Sequence, residues 1–191
     1  IKIKSGELQG FWMIKNGIRE YVASNQLILA IGHSSRDTYR MLRKRGLAME
    51  AKAFAMGTRM EHPREEIDRM QYGKEVKNPL LEAATYAVTY NNSMEKRGTF
   101  SFCMCPGGVI VNAASQAGGT LVNGMSYSTR NGRFSNSAIV VGIKEHEFGE
   151  DLFSGMYFQE SLEKKAYEMI GNYGAIYQNV WDFLEARKTE H

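Results

Sequence analysis

The residues best suited to chemistry lie in one short stretch, "SFCMCPGGVIVN", residues 101 to 112, which contains the only two cysteines of the chain. Paired thiols can exchange disulfides, attack electrophiles or ligate metals. If residues 98 to 105 form a strand, Phe100, Phe102 and Met104 point to one face, and Thr99, Ser101, Cys103 and Cys105 to the other. The aromatic face is then the expected core, and both thiols share a small, polar face. Pro106 ends the strand, since it has no N–H for a ladder. Gly107 and Gly108 allow close backbone approach and offer N–H groups to a ligand. Cys103 and Cys105 are thus catalytic candidates, and Gly107 and Gly108 line the same site. The plainer alternative is two small residues packed quietly before a turn.

Zinc fits poorly. A structural site needs about four ligands, and His33, His62, His146 and His191 show no ligand spacing toward the cysteines; no metal is expected. On an extended strand, residues i and i+2 have Cα atoms about 6.5 Å apart, near the upper limit for a disulfide. Such a bridge would be strained and easily reduced, a redox device rather than a staple. A second candidate set is "RMEHP". Arg59 and Glu61 share a strand face, and with His62 they are candidates for a substrate pocket. Their alternative is a surface ion pair worth less than about 1 kcal/mol. No Ser-His-Asp, H-E-x-x-H, P-loop or G-x-G-x-x-G pattern is present.

The elements that must position these residues are legible in outline. "GELQGFWMIKNGIREYVASNQLILAIG" reads as three strands. Asn16-Gly17 marks a tight hairpin, and Gln26 to Ile31 reads as an apolar inner strand. A helix follows, capped by Ser34 or Ser35 and ended by Gly46. "AKAFAMGTRMEHP" reads as a strand closed by Pro63, and "REEIDRMQYG" as a short helix. Further strands are expected over 84 to 90, 98 to 105, 108 to 113, 119 to 123 and 137 to 143. The long polar loop "NGMSYSTRNGRFSN" is a candidate functional or interaction loop. From Tyr157 two apolar stripes at helical spacing predict a pair of helices separated by Gly171 and Gly174. The fold class is therefore α+β: mixed, largely antiparallel sheets with helices packed on one side, ending in a helical pair.

The chain has 191 residues, 43% hydrophobic and 24% charged, with net charge +3. That is enough chain for a true core and too little charge to argue for nucleic acid or membrane as partner. Apolar runs such as "AIVVGI" are far short of a bilayer span. Sparse cysteine suits a reducing, cytoplasmic setting. The start at Ile1 in "IKIK" and the polar tail "LEARKTEH" suggest a piece of a longer chain.

The strings "LAIGHSSRDTYRML", "RMEHP", "QYG", "SFCMCPGG", "NGMS" and "SNSAIVV", in that order, resemble the uncharacterised FAD-dependent dehydrogenases, a group of NAD(P)/FAD-dependent oxidoreductases with a fold like that of the glutathione-reductase-like flavoproteins. The resemblance implies a division into a partial FAD-domain segment, residues 1 to 48, and a substrate-type α+β domain with C-terminal helices, residues 49 to 191. It places Gly32, His33 and Ser34 at the cofactor edge, and sets the site of Cys103, Cys105, Gly107 and Gly108 facing flavin or substrate, with Gly107 and Gly108 as cofactor-binding candidates. It implies FAD as cofactor of the full-length parent, NAD(P)H as a candidate electron donor, and an unknown small-molecule substrate, with the rest of the parent chain as partner. The family's N-terminal G-x-G-x-x-G unit is missing, so bound FAD is not expected on this piece alone, which is then inactive by itself. The rival readings are a thiol redox device built on Cys103 and Cys105, and a non-catalytic binding domain that uses the 123 to 136 loop.

Overall fold

The computed structural model describes residues 1 to 32 and 34 to 189, and the chain divides into two compact units, Ile1–Glu50 and Ala51–His191. The architecture is α+β with antiparallel sheets throughout.

In the first unit, β1 (Lys2–Lys4), β2 (Glu7–Lys15) and β3 (Ile18–Ala23) form a three-stranded antiparallel meander in that order. Asn16 and Gly17 both take positive φ, 52° and 78°. That is the backbone of a two-residue hairpin turn whose twist matches the flanking strands, and Lys15 accordingly pairs with Ile18. Trp12 and Tyr21, cross-strand partners in that ladder, hold their rings 5.0 Å apart. The helix α1 (Arg36–Lys44) follows, and Gly46, at φ 82°, lies just beyond its end.

The inner strand expected over Gln26 to Ile31 does not form. These residues belong to no sheet, and Ile28 is 92% exposed. An apolar run of this kind is held as a strand by ladders on its flanks, and the described residues of the first unit provide none. Ser35 does not cap α1 either: its hydroxyl donates back to the Ile31 carbonyl (2.7 Å).

The second unit is built on a four-stranded sheet of β4 (Phe54–Pro63), β9 (Phe134–Ile143), β6 (Arg97–Cys105) and β5 (Thr89–Asn92), in that spatial order. Beside it lies a two-stranded ribbon of β7 (Gly108–Asn112) and β8 (Val122–Ser126). β9 is central because it is the most apolar long strand and pairs along its length with β4 and over much of it with β6. It also begins three residues earlier than "SAIVVGI" suggests, and Ser135, Asn136 and Ser137 within it are fully buried. Likewise, residues 84 to 88 precede β5 instead of forming it, and β8 starts at Val122 rather than 119.

Helix α2 (Arg64–Tyr72) starts directly after Pro63, and Gly73 ends it at φ 55°. Helix α3 (Ser154–Ile170) is closed by Gly171 in the left-handed region, φ 73°; only glycine reaches that region without steric cost. Near its start α3 packs on β4 through Phe158 and Phe54, with ring centroids 6.4 Å apart. A short α4 (Val180–Leu184), capped by Asn179 through the Trp181 N–H, completes the helical pair.

Two glycines of the central sheet make opposite predictions. A Cβ on Gly57 would lie 1.9 Å from the Ile139 carbonyl oxygen, whereas one on Gly142 meets nothing within 4 Å. Gly57→Ala should therefore destabilise the protein by about 1–3 kcal/mol through forced strand displacement. Gly142→Ala should stay within about 0.5 kcal/mol of wild type. Urea denaturation of both variants checks this, and equal stabilities would show that the two strands yield freely.

Candidate functional site

The site is organised by Arg59. It lies on β4 opposite Ala138, and Glu61 lies opposite Asn136, so Arg59, Glu61, Ala138 and Asn136 share one face of the sheet. The guanidinium reaches across β9 to β6. Nη1 donates to Asn136 Oδ1 (2.5 Å) and to the Cys103 carbonyl (3.2 Å). Nη2 donates to the same carbonyl (3.1 Å) and to Asn123 Oδ1 (3.2 Å). The Cys105 Sγ lies 3.8 Å from Nη1. Four strands are thereby joined at one side chain. Gly124 on β8 makes room: a Cβ there would lie 2.2 Å from Arg59 Nη1 and 2.4 Å from Asn136 Oδ1.

These partners of Arg59 are neutral. The expected partner, Glu61, shares its face but is exposed and is not one of them. His62 points to the opposite face, where its ring lies 5.5 Å from that of Tyr86. The three residues of "RMEHP" therefore do not converge.

The cysteine strand departs from simple alternation. Its pairing with β9 shifts between Phe102 and Cys105, and Cys103 adopts φ 49°. This is a bulge, in which an extra residue re-aims the side chains beyond it. Cys103 is left exposed and Cys105 is turned inward and buried, so the two thiols do not share one open face. The aromatic face is not uniformly core either: Phe102, before the bulge, is 63% exposed. The Cys105 thiol donates to the Cys103 carbonyl (3.5 Å). Burial pushes the Cys105 thiol up, against a smaller opposing pull from Arg59. Cys105 is consequently a protonated donor at neutral pH.

The Pro-Gly-Gly turn is enclosed by the chain itself. Gly107 N–H donates to Ser135 Oγ (3.0 Å), and its carbonyl accepts from Gly132 N–H (3.1 Å). Ser126 Oγ donates to the Pro106 carbonyl (2.8 Å). A Cβ on Gly107 would stand 1.9 Å from the Arg130 carbonyl oxygen, and one on Gly108 2.3 Å from that of Met125. The close approach these glycines permit is thus made by the 130 to 132 backbone and β8. The long polar loop accordingly serves in part as the lid of this turn.

In the first unit Gly32 takes φ 70°, with open space where a Cβ would be, and its carbonyl accepts from the Tyr39 hydroxyl (2.9 Å). Ser34 follows in a turn. His33 lies outside the described residues.

The contributions of Asn136, Asn123, Ser135 and Gly124 were not assigned from sequence, although "SNSAIVV" and "NGMS" contain them. The available signal was a polar triplet running directly into an apolar strand: polar side chains carried into a core must find partners.

The family model for FAD-dependent protein, C-terminal domain-like, matches residues 53–191. An uncharacterized protein of Clostridium beijerinckii (strain ATCC 51743 / NCIMB 8052) is 47% identical over 189 residues, covering 98% of this chain. The chain spans about a third, 35%, of that relative's length.

Two predictions follow from the geometry. Arg59→Met leaves the buried Asn136 Oδ1 without its donor and the Cys103 carbonyl with only the weak Cys105 thiol, at a cost of about 1–3 kcal/mol, chiefly for the unpaired buried amide oxygen. Arg59→Lys should recover part of that loss, because an ammonium can reach one or two of the acceptors; denaturation midpoints decide. The second concerns His62, whose pKa is lowered from 6.5 by burial, with Glu66 opposing more weakly. Below pH 6.5 the unfolded chain then binds a proton that the folded one resists, so stability should fall as pH drops from 6.5 toward the depressed folded value. His62→Gln should flatten that slope in urea titrations between pH 7 and 5; an unchanged slope would exclude His62 as its source.

Since the family model covers well over half of the chain, from β4 through the last helix, the chain belongs to the FAD-dependent protein, C-terminal domain-like family.

Proposed function

We propose that this chain is the substrate-type part of a FAD-dependent oxidoreductase of the dehydrogenase kind, and that the Arg59 centre faces its substrate. The family supports a flavoprotein, and the single observation that carries the substrate assignment is the Arg59 cation. It is held by two asparagine oxygens and one carbonyl, with a thiol beside it, and with no carboxylate among its partners in the described residues. A positive charge fixed in this way favours an anionic group, or negative charge that develops during reaction, on its open side.

The residues present fit one edge of the cofactor. Gly32, at φ 70°, has open space where a Cβ would be, which supports reading Gly32 and Ser34 as neighbours of the cofactor, and His33 stands between them in sequence. Residues 1 to 191 contain no glycine-rich turn for the pyrophosphate, so the main hold on the dinucleotide would come from the rest of the parent. Bound FAD would supply the two-electron acceptor that protein side chains lack. NAD(P)H is the proposed electron donor, and a cytoplasmic setting suits the free thiols. No helix among the described residues is long and apolar enough to cross a membrane.

The test uses both lengths of chain. The full-length protein should purify yellow with one FAD per chain, and NADH, NADPH or a small organic donor should bleach its visible band under anaerobic conditions. The 191-residue chain alone should be colourless, because a few hydrogen bonds at about 1 kcal/mol each do not offset immobilising so large a ligand. A colourless full-length protein, or flavin that no donor reduces, would overturn the assignment.

A further inference from the structure

We propose that Cys103 and Cys105 form a thiol–disulfide exchange centre for low-molecular-weight disulfides, with Cys103 as the attacking residue and Cys105 as the resolving one. This activity goes beyond the flavin assignment and does not depend on it.

Three features of the bulge support it. First, the two thiols differ in access: Cys103 is exposed and Cys105 is buried. An incoming disulfide therefore meets one sulfur and not the other. Second, the bulge brings the Cys105 thiol against the Cys103 backbone. The Cys105 thiol lies 3.5 Å from the Cys103 carbonyl oxygen and donates to it. A regular strand would instead hold i and i+2 side chains parallel and apart. Third, the Arg59 guanidinium sits 3.8 Å from Cys105 Sγ, where it can stabilise a sulfur anion as it forms. Burial keeps Cys105 protonated until then, which orders the two steps.

The electrons balance as follows. The Cys103 thiolate attacks one sulfur of the small disulfide. That S–S bond breaks, and the first small thiolate leaves and takes up a proton. Cys105 then loses its proton and attacks the Cys103 sulfur, expelling the second small thiolate. Two protein thiols become one disulfide, and the small disulfide becomes two thiols. The product bridges residues only two apart, so it is strained and returns readily to the dithiol when small thiols are in excess.

The experiment uses the full-length protein with glutathione disulfide as the probe, read by mass and by alkylation of remaining thiols on the proteolytic peptide that carries Cys103 and Cys105. Wild type should lose two hydrogens and retain no glutathione, and excess glutathione should reverse this. Cys105→Ser should accumulate one glutathione on Cys103, and Cys103→Ser should take none. In untreated wild type, iodoacetamide should label Cys103 about tenfold faster than Cys105, a measurement that needs no variant to fold. Wild type that stays fully reduced under excess glutathione disulfide, a stable adduct on wild type without an internal bridge, Cys105→Ser without an adduct, or equal alkylation rates would each overturn the proposal.

Discussion

A guanidinium drawn into a protein must exchange its water for acceptors or it destabilises the fold. Among the described residues, Arg59 meets this requirement without any carboxylate. Its acceptors come from three strands besides its own: Asn136 on β9, the Cys103 carbonyl on β6 and Asn123 on β8. The four-stranded sheet and the two-stranded ribbon are tied together at this side chain. Gly124 is part of the same requirement, since any larger residue would occupy the space of the guanidinium and of the Asn136 amide. Because the acceptors are neutral, the positive charge persists at the site as a fixed local field.

The bulge at Cys103 is the second consequence. A non-glycine residue at φ 49° costs about 1–2 kcal/mol relative to an ordinary strand conformation. Both Nη atoms of Arg59 grip the carbonyl of that same residue, which offsets the strain and fixes its direction. The result separates two neighbouring thiols in access while placing the Cys105 thiol against the Cys103 carbonyl. Placing two small residues in a strand does not by itself produce this difference; the bulge does.

The Pro-Gly-Gly turn illustrates how one local feature can serve a different master. Its glycines allow close approach, as their chemistry requires, but the approaching group is the 130 to 132 backbone. The buried Ser135 satisfies the Gly107 N–H that would otherwise be orphaned next to it. The turn thus anchors the loop and the first residues of β9, and β9 in turn carries Asn136 to Arg59.

By itself the sequence determined the elements whose causes are local. Asn16-Gly17 dictates its hairpin because both positions need positive φ. Pro63 closes β4 and opens α2, and Gly171 ends α3, because each has a backbone preference that neighbours hardly alter. The alternating pattern read over residues 98 to 105 and the apolar run of β9 specify strands, though the alternation itself holds only to the bulge after Phe102, and the α+β class with its terminal helices follows from these periods. The tertiary structure decided whatever depends on partners distant in sequence. Gln26 to Ile31 has strand composition but no ladder beside it, so it forms no strand. Arg59 spans 44 residues to Cys103 and 77 to Asn136, and no local pattern distinguishes those acceptors from Glu61, two positions away. The fate of Cys103 and Cys105 likewise rests on a register shift between β6 and β9. A register shift arises from the fit of two strands to one another, and a single strand read alone carries no record of it.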